Sequence, residues 1–272
     1  IFTLNRRWIG ELLEALGALE HPVEWGCATR VDLVDADLIR QMAEAGCTGI
    51  QFGVESGSQT VLDSVKGIEK QQVRDAVAAA VACGIDAVCS FMIPFPEDTP
   101  ETLRESLEFM AEVHALGARI YLSYTCPFPG TDFYDRAAEL GLTILTDDWG
   151  DFDAKHVVIE TRHLTAPQVD ATAEAMAAAK GVAASSLVKA AVHGRDPNWG
   201  RILSAVGQSG AIADLGAVTV SVQGTPVYRG QPLEFDATAL SQAMRSPDVL
   251  LEVDLAAGEA EGEAWGCDLS AD

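Results

Sequence analysis

The amino-acid sequence predicts an α/β protein: an N-terminal partial (β/α) TIM-like barrel of about four units, followed by a small α+β domain. Two observations carry this prediction. Up to about residue 145, short apolar runs rich in Val, Ile, Phe and Tyr alternate with helical patterns. The interval is roughly 25 to 40 residues, the length of a strand with its crossover helix. After residue 158 the alternation stops, and a helix, hairpin, helix, hairpin order replaces it. A closed eight-unit barrel takes roughly 250 residues, so about four units make an open or partial one.

The expected strands of the first part are residues 23–28, 49–54, 87–93 and 119–124, each short enough for a buried parallel strand. Helical patterns lie at 5–19, 35–45, 58–65, 70–83, 100–116 and 132–140. Asp35 and Thr99 suit N-caps, and Pro100 sits at the favoured first helical position. Gly46, Gly84, Gly117 and Gly141 follow helices where a left-handed cap is wanted. In the second part, a helix is expected at 166–179, another at 186–192, and a third running to about residue 206. Residues 218–222 and 226–229 read as a hairpin around Gln223-Gly224-Thr225. A helix at 237–244 and a strand at 249–255 follow, with 264–269 as that strand's expected partner. The domain reading is therefore 1–160, a helical junction at 161–182, and 183–272.

Polar and turn-forming residues cluster just after each expected strand of the first part. They are Thr29-Arg30-Val31-Asp32, Glu55-Ser56-Gly57-Ser58, the stretch 94–99 and the stretch 126–131. Each alone is ordinary turn chemistry. Together, at the strand ends where parallel α/β folds bind ligands, they read as a pocket.

Composition narrows the partners. The 272 residues carry a formal net charge of −23, so a nucleic-acid backbone or an anionic membrane would be repelled. Divided at residue 165, the chain has 12 basic and 27 acidic residues before and 6 and 14 after, so charge marks no boundary. No apolar run reaches the roughly 20 residues of a membrane span, and no signal peptide is recognisable. The six cysteines (Cys27, Cys47, Cys83, Cys89, Cys126 and Cys267) are spaced long and irregularly. Reduced thiols in a cytoplasm and no metal site are the expectation. The five histidines are scattered, and Ser186 with Lys189 reads as an ordinary helix pair rather than a nucleophile. Glu259, Glu261 and Glu263 read as a solvated hairpin tip.

Residues 1–160 resemble the C-terminal part of a radical SAM catalytic domain of the cobalamin-associated type. The likeness rests on FTLNRRW, CATRVDLVDADLIRQMAEAGCTGIQFGVESGSQTVLDSVKG, FMIPFPEDTPETL and YTCPFPGTDFYDRAAELG, in that order. It implies S-adenosylmethionine as a ligand. It places Glu55 and Ser56 near the ribose and methionyl groups. Phe91 and Ile93, with Pro127 of the next loop, fall along the adenine, and Arg30 points into the barrel. Pro94 and Glu97 stand where the family often has glycines. The family also holds a four-iron, four-sulfur cluster on a CxxxCxxC loop, for which this sequence has no counterpart.

Residues 175–272 resemble the C-terminal part of the bifunctional glutamate/ornithine N-acetyltransferase of arginine biosynthesis. The carriers are AAAKGVAASSLVKAAVHGRDPNWGRILSAVGQSG, VSVQGTPVYRG and LLEVDLAAGEAEGEAWGCDLSAD. That family's threonine nucleophile, oxyanion hole and terminal substrate residues have no counterparts here. Asp196, Asn198, Trp199 and Arg201 read as a structural turn. The chain opens without Met, as if inside a domain. The expectation is a fusion of two incomplete enzyme domains with no catalytic residues of its own. It would take small molecules as partners if anything, with a complementing chain or self-association through open sheet edges as the alternative.

Overall fold

The structure is a computed structural model and describes residues 1–211, 214–258 and 260–268. The expectations that fall on Glu259 and Leu269 lie outside the described residues. The chain divides into two compact units, Ile1–Val169 and Asp170–Asp272.

The first unit is mixed α/β around a four-stranded parallel sheet in the order β1-β2-β3-β4. Helix α1 (Arg6–Gly17) starts on Asn5, whose side chain accepts from the Trp8 N–H at 3.1 Å. Strand β1 (Trp25–Thr29) leads to α2 (Ala36–Glu44), capped by Asp35 accepting from Leu38 N–H at 2.8 Å. Strand β2 (Cys47–Glu55) is followed by α3 (Gln59–Val65) and α4 (Lys70–Ala82). Strand β3 (Asp86–Ile93) is followed by α5 (Pro100–Ala115) and β4 (Arg119–Tyr124). At α5 the Thr99 hydroxyl accepts from Thr102 N–H, with Pro100 at the first helical position. Short helices α6 (Asp132–Asp135) and α7 (Ala137–Leu140) precede a small antiparallel pair, β5 (Thr143–Ile144) with β6 (Ile159–Glu160).

Strand alternation sorts the sheet's two faces. Ile50, Phe52 and Val54 of β2, and Ala87, Cys89, Phe91 and Ile93 of β3, are buried among the helices. The opposite face is open. It carries Gly26 and Ala28 of β1, Gln51 and Gly53 of β2, Ser90 and Met92 of β3, and Tyr121 of β4, all half-buried or exposed. Parallel sheets are normally covered on both faces.

Helix α8 (Ala166–Ala184) carries the chain from one unit to the other. It runs five residues beyond the expected 166–179, past Gly181, and ends before Ser185, whose side chain caps the next helix. The second unit contains α9 (Ser186–His193), α10 (Trp199–Gln208), β7 (Thr219–Val222), β8 (Thr225–Arg229), α11 (Ala237–Ala243) and β9 (Leu251–Asp254). Its core joins Val188, Ile202 and Val206 of the helices to Val220, Val222 and Val227 of the sheet. Gln223 and Gly224 turn the hairpin with φ of 50° and 71°, the two left-handed positions of a tight hairpin turn.

One expectation is corrected here. Strand β9 pairs with β7, in the antiparallel order β8-β7-β9, and not with the described residues 264–268. Gln223 fixes that register. Its backbone N–H donates to Leu250 C=O and its side-chain oxygen accepts from Leu250 N–H. Residues 264–268 form no strand. Gly262 and Gly266 instead lie against the backbone of Ala175 and Ala183 in α8.

No single helix among the described residues is long and apolar enough to cross a membrane. The bent pair α8 and α9 passes that test only when the two are taken together.

Candidate functional site at the strand ends

At the C-terminal ends of β1 and β2 four charged side chains meet. Arg30 donates to both carboxylate oxygens of Asp32, at 2.8 and 2.9 Å, and also to Lys66 C=O at 2.9 Å. This fork holds the Asp32 carboxyl below the usual carboxylate range and raises Arg30 further. Lys66 reaches back to Gly53 C=O at 2.6 Å and to the Glu55 carboxylate at 2.5 Å. The Lys66 and Glu55 side chains are 13 and 23% exposed, so the pair is largely shielded while one side of Glu55 remains reachable.

Among the described residues, Glu55 is the one strand residue with positive φ, at 79°, where the β2–β3 register shifts. A non-glycine residue held there costs on the order of 1 kcal/mol or more. The bulge re-aims the strand end, so that Glu55 turns to Lys66 while Ser56 turns the other way. Ser56 is buried, and its hydroxyl meets that of Ser106 in α5 at 3.1 Å. Gly57 N–H donates to the same Ser106 oxygen at 2.9 Å. A Cβ on Gly57 would lie 2.6 Å from Ser106 Cα and 2.7 Å from Phe109 Cβ, so only glycine lets this loop lie on the helix.

The six residues expected to face a ligand therefore separate. Arg30 and Glu55 share the charged cluster. Ser56 is spent on α5. Phe91 faces the helices, its ring edge-on to Phe109 with centroids 6.5 Å apart. Ile93 is buried on the same side, and its carbonyl accepts from Thr125 N–H at 2.8 Å. Pro127 is buried in the loop after β4. Phe91 and Ile93 fall on the helix-facing side because adjacent residues of β3 point to opposite faces, and Ser56, just past the bulge at Glu55, is turned to Ser106. The residues that take the open face are their neighbours Ser90 and Met92, in register with Tyr121 and Ser123. Alternation along 86–93 marks two faces but does not by itself say which of them the helices cover. Lys66, the partner of Glu55, left no such mark.

The loop after β3 is held by Asp98, which is 1% exposed. Its carboxylate accepts from Phe95 N–H at 2.7 Å and from the Thr102 hydroxyl at 2.8 Å. Burial pushes its pKa up to about 6.

An iron–sulfur cluster of the kind the family resemblance implies needs several thiolates in one place. The cysteines present do not fit it. Cys27 and Cys47 neighbour each other, and the contact with Cys47 together with burial pushes the Cys27 thiol up. Cys89 is buried within β3 and pushed up to about 12. Cys126 is also raised by burial. Among the described residues, no three His, Cys, Asp or Glu side chains gather as metal ligands would.

In the second unit, the expected turn residues bind one another and the backbone. Asn198 caps α10 by accepting from Arg201 N–H at 3.2 Å, and it donates to Asp196 at 3.0 Å. Trp199 lies on Tyr228 with centroids 5.0 Å apart. Arg201 donates to Leu187 C=O at 3.1 Å. The turn thus joins α9 to α10.

Comparison with known proteins matches both parts. Residues 3–110 match the Radical SAM superfamily, and residues 154–272 match the ArgJ family. The arginine biosynthesis bifunctional protein ArgJ of Deinococcus radiodurans is 57% identical over 100 residues, covering 37% of this chain and 26% of that protein. The Thermus thermophilus ArgJ is 50% identical over 99 residues, 36% of this chain and 26% of its own length. The chain thus spans about a quarter of the length of these curated relatives. Among solved structures, ArgJ of Bacillus halodurans aligns with a TM-score of 0.36 and 34% identity, over 37% of this chain and 48% of that one. The radical S-adenosylmethionine methyltransferase TsrM of Kitasatospora setae aligns with a TM-score of 0.44 and 21% identity, over 53 and 28%. A radical SAM segment and an ArgJ segment are therefore joined in one polypeptide.

Proposed function

We propose that this polypeptide, a fusion of two partial domains, binds S-adenosylmethionine at the open sheet face but by itself neither cleaves it nor moves acetyl between ornithine and glutamate. The observation that carries the reading is the disposition of the thiols. Cys27, beside Cys47, and the buried Cys89 are both held toward their protonated forms while Cys47 shifts the other way, so no set of several thiolates is offered, whereas reductive sulfonium cleavage needs an electron-donating cluster seated on thiolates. In the second unit, Asp196, Asn198 and Arg201 are engaged with each other and with backbone groups, which supports a structural role rather than acyl transfer.

What supports weak ligand binding is the make-up of the open face. Gly26 and Ala28 keep the β1 side of that face low, Gly53 is covered by Lys66 and Glu55, and Glu55 offers a carboxylate to ribose hydroxyls from a fixed position. Arg30 acts through Asp32 and the Lys66 backbone to hold that end of the cluster. The acidic surface argues against nucleic acid as a partner, and a cytoplasmic setting accords with six thiols in no disulfide.

The test is anaerobic reconstitution of the purified chain with ferrous iron and sulfide, followed by iron analysis and an assay for 5′-deoxyadenosine. The expected result is substoichiometric iron and no product, with weak S-adenosylmethionine binding by calorimetry. Stoichiometric cluster and turnover would overturn the reading of inactivity, and absence of binding heat would overturn the ligand.

A second reading is favoured by one specific feature. Among the described residues strand β1 ends the sheet order and pairs only with β2, so another chain could add a strand there and supply the thiolates. Co-expression with a full radical SAM domain and mass measurement of the complex tests it.

A further inference from the structure

Beyond β4 the first unit presents four aromatic rings in a ladder that the ligand site does not use. Phe128 lies 6.2 Å from Phe152, Phe152 lies 4.9 Å from Trp149, and Trp149 lies 6.1 Å from Tyr134, centroid to centroid. Phe152 is buried and anchors the ladder in a small core with Leu142, Val158 and Ile159. The outer rungs are open: Trp149 is 55% exposed and Phe128 49%. What sets Trp149 apart from a lone exposed ring is that its neighbours in the ladder are aromatic too.

The indole is also held in place. Asp148 accepts from Gly150 N–H at 2.8 Å, the Thr146 hydroxyl donates to Asp151 at 2.8 Å, and Asp148 N–H donates to Thr146 at 3.1 Å. These bonds fix the turn that carries Trp149, and the ring contacts with Phe152 and Tyr134 set where its indole lies.

The surroundings are acidic. Residues 128–153 contain seven carboxylates and one arginine, Arg136. Arg136 is already engaged by Asp132 and Glu139. Lys155 and His156 come next, the latter paired with Asp153. A π-face rimmed by carboxylates attracts a cation. A guanidinium suits both parts at once: it stacks flat on an indole and offers a fork of N–H donors to a neighbouring carboxylate, which a lysine ammonium does not.

We propose that the Phe128–Phe152–Trp149 ladder is a docking surface for an arginine-bearing basic segment of a partner protein. One arginine stacks on Trp149 while its guanidinium edge meets Asp147 or Asp148. This proposal is independent of S-adenosylmethionine binding.

The test titrates the full chain with a hexa-arginine peptide and with a hexa-lysine peptide at physiological salt, in wild type, Trp149→Ala and Trp265→Ala. Trp265 is a comparably exposed indole in the other unit, at 54%. Hexa-arginine is expected to bind about fivefold or more tighter than hexa-lysine, and Trp149→Ala to remove that preference while Trp265→Ala leaves it. Trp149→Phe, which keeps Phe152 covered, is expected to fall between wild type and alanine, and carries the test should the alanine variant melt early. Equal binding of the two peptides to wild type, or unchanged hexa-arginine affinity in both Trp149 variants, overturns the proposal.

Discussion

Replacing Asp98 with Asn alters one charge in a buried turn and little else. The carboxylate is 1% exposed and receives two hydrogen bonds, from Phe95 N–H and from the Thr102 hydroxyl. An amide keeps both contacts: its oxygen accepts from Phe95, and its NH2 donates to the Thr102 oxygen, whose proton goes to the Thr99 carbonyl 3.1 Å away. The charge is what burial penalises, and its pKa rises from an ordinary 3.8 to about 6. With the folded value above the unfolded one, the native state holds the extra proton between those limits. The favourable contribution is thus full below pH 3.8 and is lost as pH rises through about 6. At ~1.4 kcal/mol per decade of pH the whole span is worth about 3 kcal/mol, with about 1.4 kcal/mol of it falling between pH 5 and pH 8. Urea unfolding of wild type and Asp98→Asn across that range, with the transitions of the two units fitted separately, isolates this residue among 41 carboxylates, because only the difference between the curves is read. The variant is expected to gain on wild type by about 1 to 1.5 kcal/mol as pH rises from 5 to 8. Parallel curves would refute the argument that burial dominates at Asp98.

Three further outcomes are expected. Gly57→Ala drives a methyl into Ser106 and Phe109, and should lower the stability of the first unit by about 2 to 3 kcal/mol, read as a shift in urea midpoint. Lys66→Met leaves Glu55 without its cation in a mostly shielded site. It should cost about 1 to 2 kcal/mol, discounted for the remaining exposure, and Glu55→Gln in the same background should recover much of it. Asn198→Ala removes the cap of α10 and its tie to Asp196. A loss of about 1 kcal/mol in the second unit is expected by thermal melting, and no loss would refute the cap's contribution to stability.

Much of this chain was legible before folding because the relevant physics is local. A strand of five to nine residues, a cap such as Asp35 or Thr99, a proline at the first helical position and a hairpin turn around Gln223-Gly224-Thr225 each depend on a few consecutive residues. The same holds for the two family likenesses, which rest on contiguous motifs. The partners of β9 and Glu55 depend on groups brought from afar. The register of β9 is set by Gln223, 27 residues before Leu250, and Glu55 finds Lys66 on the far side of α3. The end of α8 lies between, since an Ala-rich run extends as far as packing permits.

By itself, the sequence determined that a parallel βα arrangement is followed by an antiparallel one, where the elements begin, and which residues stand at the strand ends. Only the tertiary structure decided which parity of β3 faces the helices, that Ser56 belongs to α5 rather than to the pocket, and that Trp149 is mounted in the open on Phe152. The physical reason is the two-residue period of a strand. Alternation is written in the chain, but which of its two faces is buried is settled by the helices that arrive to cover it.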